Sequence, residues 1–318
     1  MSKHWMDRPE AGGWFAIWLI RFIAVHCGRG FTRLFLYPIT LYFYFRRGPE
    51  RRSVRDYFGR LTGTPGTPVQ GMRLIHAYAS TILDRVYLLM RGTRGYQVTL
   101  VGADELHARL DRGEGVMLLG AHMGSFDVLR VLATRKPQYP LKLVMDKGKT
   151  PAMTQLLEAL APDLAHNIID TARGGMDIVL AMSEAVRAGG MVALLGDRGR
   201  PHELMREATF LGAPAPFPAN PWLIASLLKV PVVLCLGLYR GGNRYDLVFE
   251  TLTDRVELPR ADRNPALDAY MGHYAARLEH HLRQSPYNWF NFYDFWLPQT
   301  TAAAEHVLDD DIGQAHAA

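Results

Sequence analysis

Three short, continuous apolar runs constrain the fold of this chain most strongly. They are Gly115-Val-Met-Leu-Leu119, Met191-Val-Ala-Leu-Leu195 and Val230-Pro-Val-Val-Leu-Cys-Leu-Gly-Leu238. Each is short, lacks polar alternation and is bounded by Gly or Pro, which is the pattern of a strand buried on both faces. Further strands are predicted over residues 96–101, 141–145, 167–170 and 245–250. Helices are predicted over 104–112, 125–134, 151–161 and 176–188. Strands alternating with helices of roughly 10–15 residues predict an α/β fold: a mixed, largely parallel sheet flanked by helices. A longer amphipathic helix is expected over 69–91, with Met72, Ile75, Tyr78, Ile82 and Val86 on one side, and a last helix over 265–283. The 318 residues have room for one large α/β domain or two small ones.

Charge is distributed unevenly. The net charge is +5, yet residues 1–60 alone hold eleven Lys or Arg against four Asp or Glu, so the remainder is slightly acidic. Between these cations lie Trp14-Phe-Ala-Ile-Trp-Leu-Ile20, Phe22-Ile-Ala-Val25 and Leu34-Phe-Leu-Tyr-Pro-Ile-Thr-Leu-Tyr-Phe-Tyr-Phe45. No run reaches the roughly 18–20 apolar residues of a spanning helix. On a helix, Arg21, His26, Arg29 and Arg33 share one sector, which also takes in Trp18 and Phe22. Rings mixed with arginines suit the headgroup layer of a bilayer. The cluster Arg46-Arg47-Gly-Pro-Glu-Arg51-Arg52-Ser-Val-Arg55 suits anionic phosphates. The expected partner of this segment is therefore membrane lipid and not nucleic acid; the plainer alternative is a helical arm packed on its own domain. The expected organisation is an N-terminal membrane-associating helical segment (1–60), an α/β domain (61–299) and a disordered tail (300–318). The turn-rich stretch Leu61-Thr-Gly-Thr-Pro-Gly-Thr-Pro68 marks the first boundary. Asp7, Glu10 and Arg21 argue against a signal peptide. Two cysteines, Cys27 and Cys235, argue against a disulfide scaffold, and no Cys or His spacing suggests a metal site. His280-His281 is read as a solvated helix end.

One motif carries chemistry. The pattern His-x4-Asp/Glu occurs three times, as His122/Asp127, His202/Glu207 and His306/Asp311. Only His122 follows a buried strand directly. Active sites of open α/β sheets gather at the carboxyl ends of strands. Ser125 is a candidate N-cap for a helix carrying Asp127. With His122 in the turn and Asp127 in the first helical turn, the carboxylate is expected to reach back to the imidazole and fix its tautomer. The other ring nitrogen then serves as general base for a hydroxyl or amine. Met123 and Gly124 let backbone approach a reacting carbonyl, and amides at the helix start offer donors to an oxyanion. The spacing fits equally a buried histidine hydrogen-bonded to a capping aspartate.

The block Gly120-Ala-His-Met-Gly-Ser-Phe-Asp127 resembles the first block of the lysophospholipid acyltransferase superfamily, closest to the bacterial lipid A biosynthesis (late) acyltransferase branch. The likeness covers most of the chain in order. It continues through Arg173 with Ala188-Gly-Gly-Met-Val192, Leu195-Gly-Asp-Arg-Gly-Arg200, Ala208-Thr-Phe-Leu-Gly212, the stretch 218–233 and the aromatic block Pro286-Tyr-Asn-Trp-Phe-Asn-Phe-Tyr-Asp-Phe-Trp296. The departures are Asp127 where that branch has Glu, and Gly196-Asp197-Arg198 where it has an Asp-Gln-Asp type block. The resemblance implies an acyltransferase with His122 as general base and Asp127 as its partner. The donor would be a thioester of acyl carrier protein or coenzyme A, serving as substrate with no cofactor. The acceptor would be a lipid or glycolipid hydroxyl or amine at the cytoplasmic face of the inner membrane. Direct transfer suits a chain with no cysteine near His122 and no Gly-x-Ser-x-Gly elbow. Gly124, Ser125, Arg173, Asp197, Arg198 and Arg200 are the implied substrate-binding residues, since an Arg fork suits phosphate. Arg173 and Arg200 fit a plain surface role as well, and Asp197 fits a turn cap. Two other activities share this motif: non-catalytic lipid binding or assembly, and hydrolysis by a thioesterase or lipase. The block 289–296 fits an acyl groove, membrane contact or core packing.

Overall fold

A computed structural model of the protein describes residues 28–129, 139–148, 151–199 and 203–296. The expectations for residues 1–27, for the tail from 300, for Arg200 and for His202 lie outside the described residues. So does the helix of 125–134 beyond residue 129.

The α/β architecture expected from the sequence is the one observed. The central sheet has seven strands: β1 (Gln97–Val101), β2 (Val116–Gly120), β3 (Leu141–Met145), β4 (Ile168–Asp170), β5 (Met191–Leu195), β8 (Val232–Tyr239) and β9 (Arg244–Thr253). Their order is β1-β9-β8-β2-β5-β3-β4. Strands β8, β2, β5, β3 and β4 run parallel, so their carboxyl ends share one edge. Strand β9 is antiparallel to β8, and β1 follows β9. Every residue of β2 and β8 is buried, which explains why both read as unbroken apolar runs.

Helices α1 (Leu36–Arg46), α2 (Gly48–Thr62) and α3 (Pro68–Arg91) precede the sheet. Thr67 and Gln70 form a reciprocal capping box at the start of α3, which fixes where the turn-rich break ends. Helix α2 is no detached arm. Its Val54, Tyr57, Phe58 and Leu61 belong to the main core, and the Tyr57 hydroxyl donates to the Pro286 carbonyl at 2.8 Å. Burying side chains of this size contributes roughly 1.5–3 kcal/mol each.

Helices α4 (Ala103–Asp111), α5 (Pro151–Leu160), α6 (Pro162–His166) and α7 (Gly175–Arg187) link the strands. A hairpin, β6 (Met205–Phe210) with β7 (Ala213–Pro218), and helix α8 (Asn220–Leu228) were not expected from periodicity. Its turn is Leu211-Gly212, both with positive φ, and lacks the Asn-Gly or Asp-Gly signature. Pro214, Pro216 and Pro218 also demote β7 as a strand in any sequence reading. Helix α9 (Arg263–Gln284) closes the core. Its His281 is buried and paired with Glu250 at 3.2 Å, so the reading of His280-His281 as a solvated helix end is corrected for His281. No cluster of three metal-ligating side chains occurs among the described residues.

From residue 28 onward, the N-terminal helical segment has its polarity reversed. Residues 28–34 are helical and continue into α1. Arg29 lies inward, on the fully buried Asp84, with nitrogen–oxygen distances of 2.7 and 2.9 Å. Tyr96 and Tyr245 donate to the same carboxylate, at 3.1 and 2.8 Å. Arg33 donates to the Tyr239 hydroxyl and the Gly242 carbonyl. Arg29 and Arg33, expected in the headgroup layer, are thus bound within the protein, Arg29 because a buried carboxylate needs a cation. Apolar and aromatic side chains face outward instead: Leu34 (62%), Tyr42 (61%) and Phe45 (70%) are exposed, as are Phe31, Phe35 and Leu41. At 100° per residue these six share a sector of about 120°. No helix of the described residues is long and apolar enough to cross a membrane.

Candidate active site

Strands β2 and β5 pair in parallel with Gly120 opposite Leu195. Two residues further along each chain, the same register brings His122 beside Asp197. Asp197 holds the histidine with both oxygens. The imidazole Nδ1 lies 2.9 Å from Oδ1, and the His122 amide donates to Oδ2 at 3.0 Å. Ring and backbone are therefore fixed by one carboxylate that is itself buried. The Tyr274 hydroxyl and the Gly196 amide both donate to the Gly120 carbonyl, which pins the end of β2.

The expected Asp127–His122 hydrogen bond is corrected by this geometry. Asp127 is buried at the start of the following helix and accepts from Arg85 Nε of α3 at 2.7 Å. The carboxylate on the imidazole is Asp197. Parallel neighbours bring residues 75 positions apart closer than a turn brings residues five apart.

The turn itself is spent on structure. Gly124 has φ +71°, and a Cβ there would overlap the Gly237 carbonyl. Its amide donates to the Asn288 carbonyl, and that of Ser125 to the Gly237 carbonyl, both at 2.7 Å. With the His122 amide on Asp197, three amides of the turn are committed. The Gly124 and Ser125 amides are therefore engaged within the protein, and oxyanion donors expected at the helix start would have to lie beyond them. Ser125 makes no capping bond either: its Oγ is buried with no hydrogen-bond partner among the described residues.

The segment after α9 completes the site. The Phe290 amide donates to the His122 carbonyl at 3.0 Å. Arg198 donates to the Phe290 carbonyl at 2.7 Å, lies over the Tyr293 ring and approaches Asp197 at 3.9 Å. Arg198 is therefore at the site but directed inward, against Asp197 and the 290–293 chain. Trp289 packs against Tyr57, Phe210, Phe295 and Trp296, so this part of the aromatic block is core. Arg173 ends a 3-10 turn after β4, on the same sheet edge but three strands from β2, so its backbone is roughly 14 Å away at ordinary strand spacing.

These neighbours set the protonation states. Burial and the cation of Arg198 push the His122 pKa below its ordinary value, with Arg85 adding to this, while Asp197 opposes. Burial pushes the Asp197 carboxyl up, but His122 and Arg198 outweigh it and hold it below the usual range. The pair is a neutral imidazole on an ionised carboxylate. Asp197 then accepts the Nδ1 proton, leaving Nε2 as an acceptor on a ring that is 34% exposed. Such a pair can take a proton from an attacking hydroxyl or amine. Burial pushes the Cys235 thiol up, which removes it as a nucleophile.

Sequence reasoning missed Arg85 as a site residue. Its signal was the adjacent charges Asp84-Arg85 inside the apolar periodicity of α3, since buried or half-buried charges on such a face need partners from other elements. A family model described as bacterial lipid A biosynthesis acyltransferase matches residues 76–297, which takes in α3 from His76 onward, the whole sheet and the aromatic block. No individual curated protein matches the chain.

Proposed function

The chain belongs to the bacterial lipid A biosynthesis acyltransferase family, and from that premise we propose that it moves a fatty acyl group from a thioester of acyl carrier protein or coenzyme A to a lipid or glycolipid hydroxyl or amine at the cytoplasmic face of the inner membrane. The observation that carries this reading is the His122–Asp197 pair at the carboxyl end of the central strand β2, with the ring partly open to solvent.

In the proposed step, His122 Nε2 takes the proton of the attacking hydroxyl or amine as the new bond to the thioester carbonyl forms. Asp197 holds the Nδ1 tautomer and stabilises the imidazolium. Collapse of the tetrahedral species expels the thiolate, and His122 returns the proton to it. No acyl-enzyme is needed, which agrees with a buried, unreactive Cys235. Arg198 acts as a positioning residue, tying Asp197 to the 290–293 segment. Arg85 and Asp127 form a second pair beside the imidazole. The side chains of Arg173 and Arg200 remain the candidates for donor phosphate. The exposed rings from Phe31 to Phe45 support contact with a bilayer, where the acceptor resides.

Transfer of a radiolabelled acyl group from acyl carrier protein or coenzyme A to a membrane lipid extract tests the reading. His122→Ala is expected to lower the rate by about 10²–10⁴ with folding unchanged. Wild-type turnover in the variant would refute the assignment. Release of free fatty acid as the main product despite abundant acceptor would replace transfer with hydrolysis.

A further inference from the structure

A second basic site lies away from His122. The end of α1, the first half of α2 and the start of α3 enclose an open cleft of about 860 Å³. Tyr44, Val54 and Pro65 supply apolar wall, and Arg51, Arg52 and Arg55 supply three cations, with no Asp or Glu among the lining residues. Arg51 is partly committed: it donates to the Tyr44 carbonyl at 3.0 Å and lies over the Tyr44 ring. Arg52 and Arg55 are exposed and make no hydrogen bond or ion pair among the described residues. The nearby carboxylates are engaged elsewhere, Glu50 with Arg47 and Asp56 with Arg60.

Several arginines elsewhere are neutralised within the protein. Arg29, Arg85, Arg109, Arg206, Arg240 and Arg277 all meet carboxylates. Cations left together without anions on one apolar wall have a chemistry that fits an anionic amphiphile. The cleft also continues the outward aromatic face. That face ends at Phe45, the cleft begins at Tyr44, and Arg51 hydrogen-bonds the carbonyls of both residues.

We propose that the cleft between α1, α2 and α3 binds the phosphate of an anionic phospholipid in the membrane on which the aromatic face rests. Arg52 and Arg55 bind the phosphate, Arg51 fixes the wall, and the glycerol and upper acyl carbons lie on Tyr44, Val54 and Pro65. This rests on the membrane-surface reading above and adds to it a preference for anionic lipid. The occupant is bilayer lipid and not free phosphate. A free ion gains nothing from the apolar wall or from the exposed rings beside it.

Vesicle flotation with full-length protein tests the site, using phosphatidylcholine vesicles with and without phosphatidylglycerol. Wild-type protein is expected to prefer the anionic vesicles by more than tenfold. The R52Q/R55Q variant is expected to lose about thirtyfold of that binding, for two cations near the surface. R52K/R55K should keep most of it. A charge-matched control, R260Q/R263Q, removes two exposed arginines outside the cleft and should lose a few-fold at most. Both cleft residues are exposed, so the thermal unfolding midpoint of R52Q/R55Q should match wild type. Equal losses in the cleft and control variants would overturn the site and leave only general attraction of a basic protein. Vesicle binding untouched by R52Q/R55Q, with inorganic phosphate binding wild type, would also overturn it. Because flotation reads no turnover, H122A serves as a second background. Failure of either protein to bind any vesicle would remove the membrane reading itself, whereas binding without anionic preference removes only this proposal.

Discussion

Two buried aspartates flank the histidine of this site, and they meet opposite partners. Asp127 follows His122 by five residues, opens the next helix and binds Arg85. Asp197 is 75 residues away in sequence, follows a different strand and binds His122 through both its ring and its backbone. Their solvent exposures are alike, 2% and 1%, so burial does not distinguish them. Register does. Parallel pairing of β2 with β5 carries His122 and Asp197 off the sheet side by side, while the tight turn at Gly124 sends Asp127 toward α3. Proximity in sequence thus supplied the motif, and proximity in the sheet supplied the pair.

The sharpest break of this comparison is Asp197→Asn. It keeps volume and removes the charge that stabilises the imidazolium. It also permits the wrong tautomer, because an amide can donate to Nδ1. The expected loss in kcat is about 10⁴-fold, as when a triad aspartate is neutralised. The pH profile adds a sign. Asp197 raises the His122 pKa against burial and Arg198, so removing its charge lowers that pKa further. The acid limb of the rate profile should therefore move to lower pH as the plateau collapses. An acid limb moving upward would show that Asp197 does not act on the imidazole.

Asp127→Asn should produce a smaller effect of another kind. It leaves Nδ1 on Asp197, so kcat should fall about tenfold or less. The larger consequence is expected in stability. Arg85 loses a charge partner but is 30% exposed and stays solvated, so the cost should be about 1 kcal/mol in urea unfolding. Equal kcat losses in the two asparagine variants would erase the distinction drawn here and return Asp127 to the role its spacing suggests.

Much of this was legible in the sequence because it depends on local patterns. The runs at 116–119 and 191–195 could only be buried strands, and the alternation around them fixed the α/β class. His122 was legible because it follows such a strand directly. Asp197 was legible only as part of a family block, because nothing in a single chain says that β5 lies beside β2. Strand order is a tertiary property. Arg29 and Arg33 misled for a related reason. A sector of arginines looks solvent-facing until a buried carboxylate such as Asp84 is known to lie opposite it. The β6–β7 hairpin was hidden by its own chemistry: Leu211-Gly212 is a weak turn signal, and alternate prolines disguise a strand.

The finest test is Arg85→Gln, which probes how far Asp127 and its cation reach the imidazole at all. Arg85 lowers the His122 pKa through space, as the least of the named influences. Without it, imidazolium becomes easier to form. The His122 pKa should rise, and the acid limb should move to higher pH, opposite to the shift expected for Asp197→Asn. The plateau rate at alkaline pH should change by about threefold or less, because Asp197 still holds the tautomer. Stability should respond more than in Asp127→Asn. Here the buried member of the pair loses its counter-charge, at a cost of about 2–3 kcal/mol. The double variant Arg85→Gln/Asp127→Asn removes both charges, so it should recover part of that stability while keeping an imidazole free of the Arg85 cation. If the acid limb stays in place in both Arg85 variants, the second pair supports the fold beside the histidine and has no part in setting its protonation.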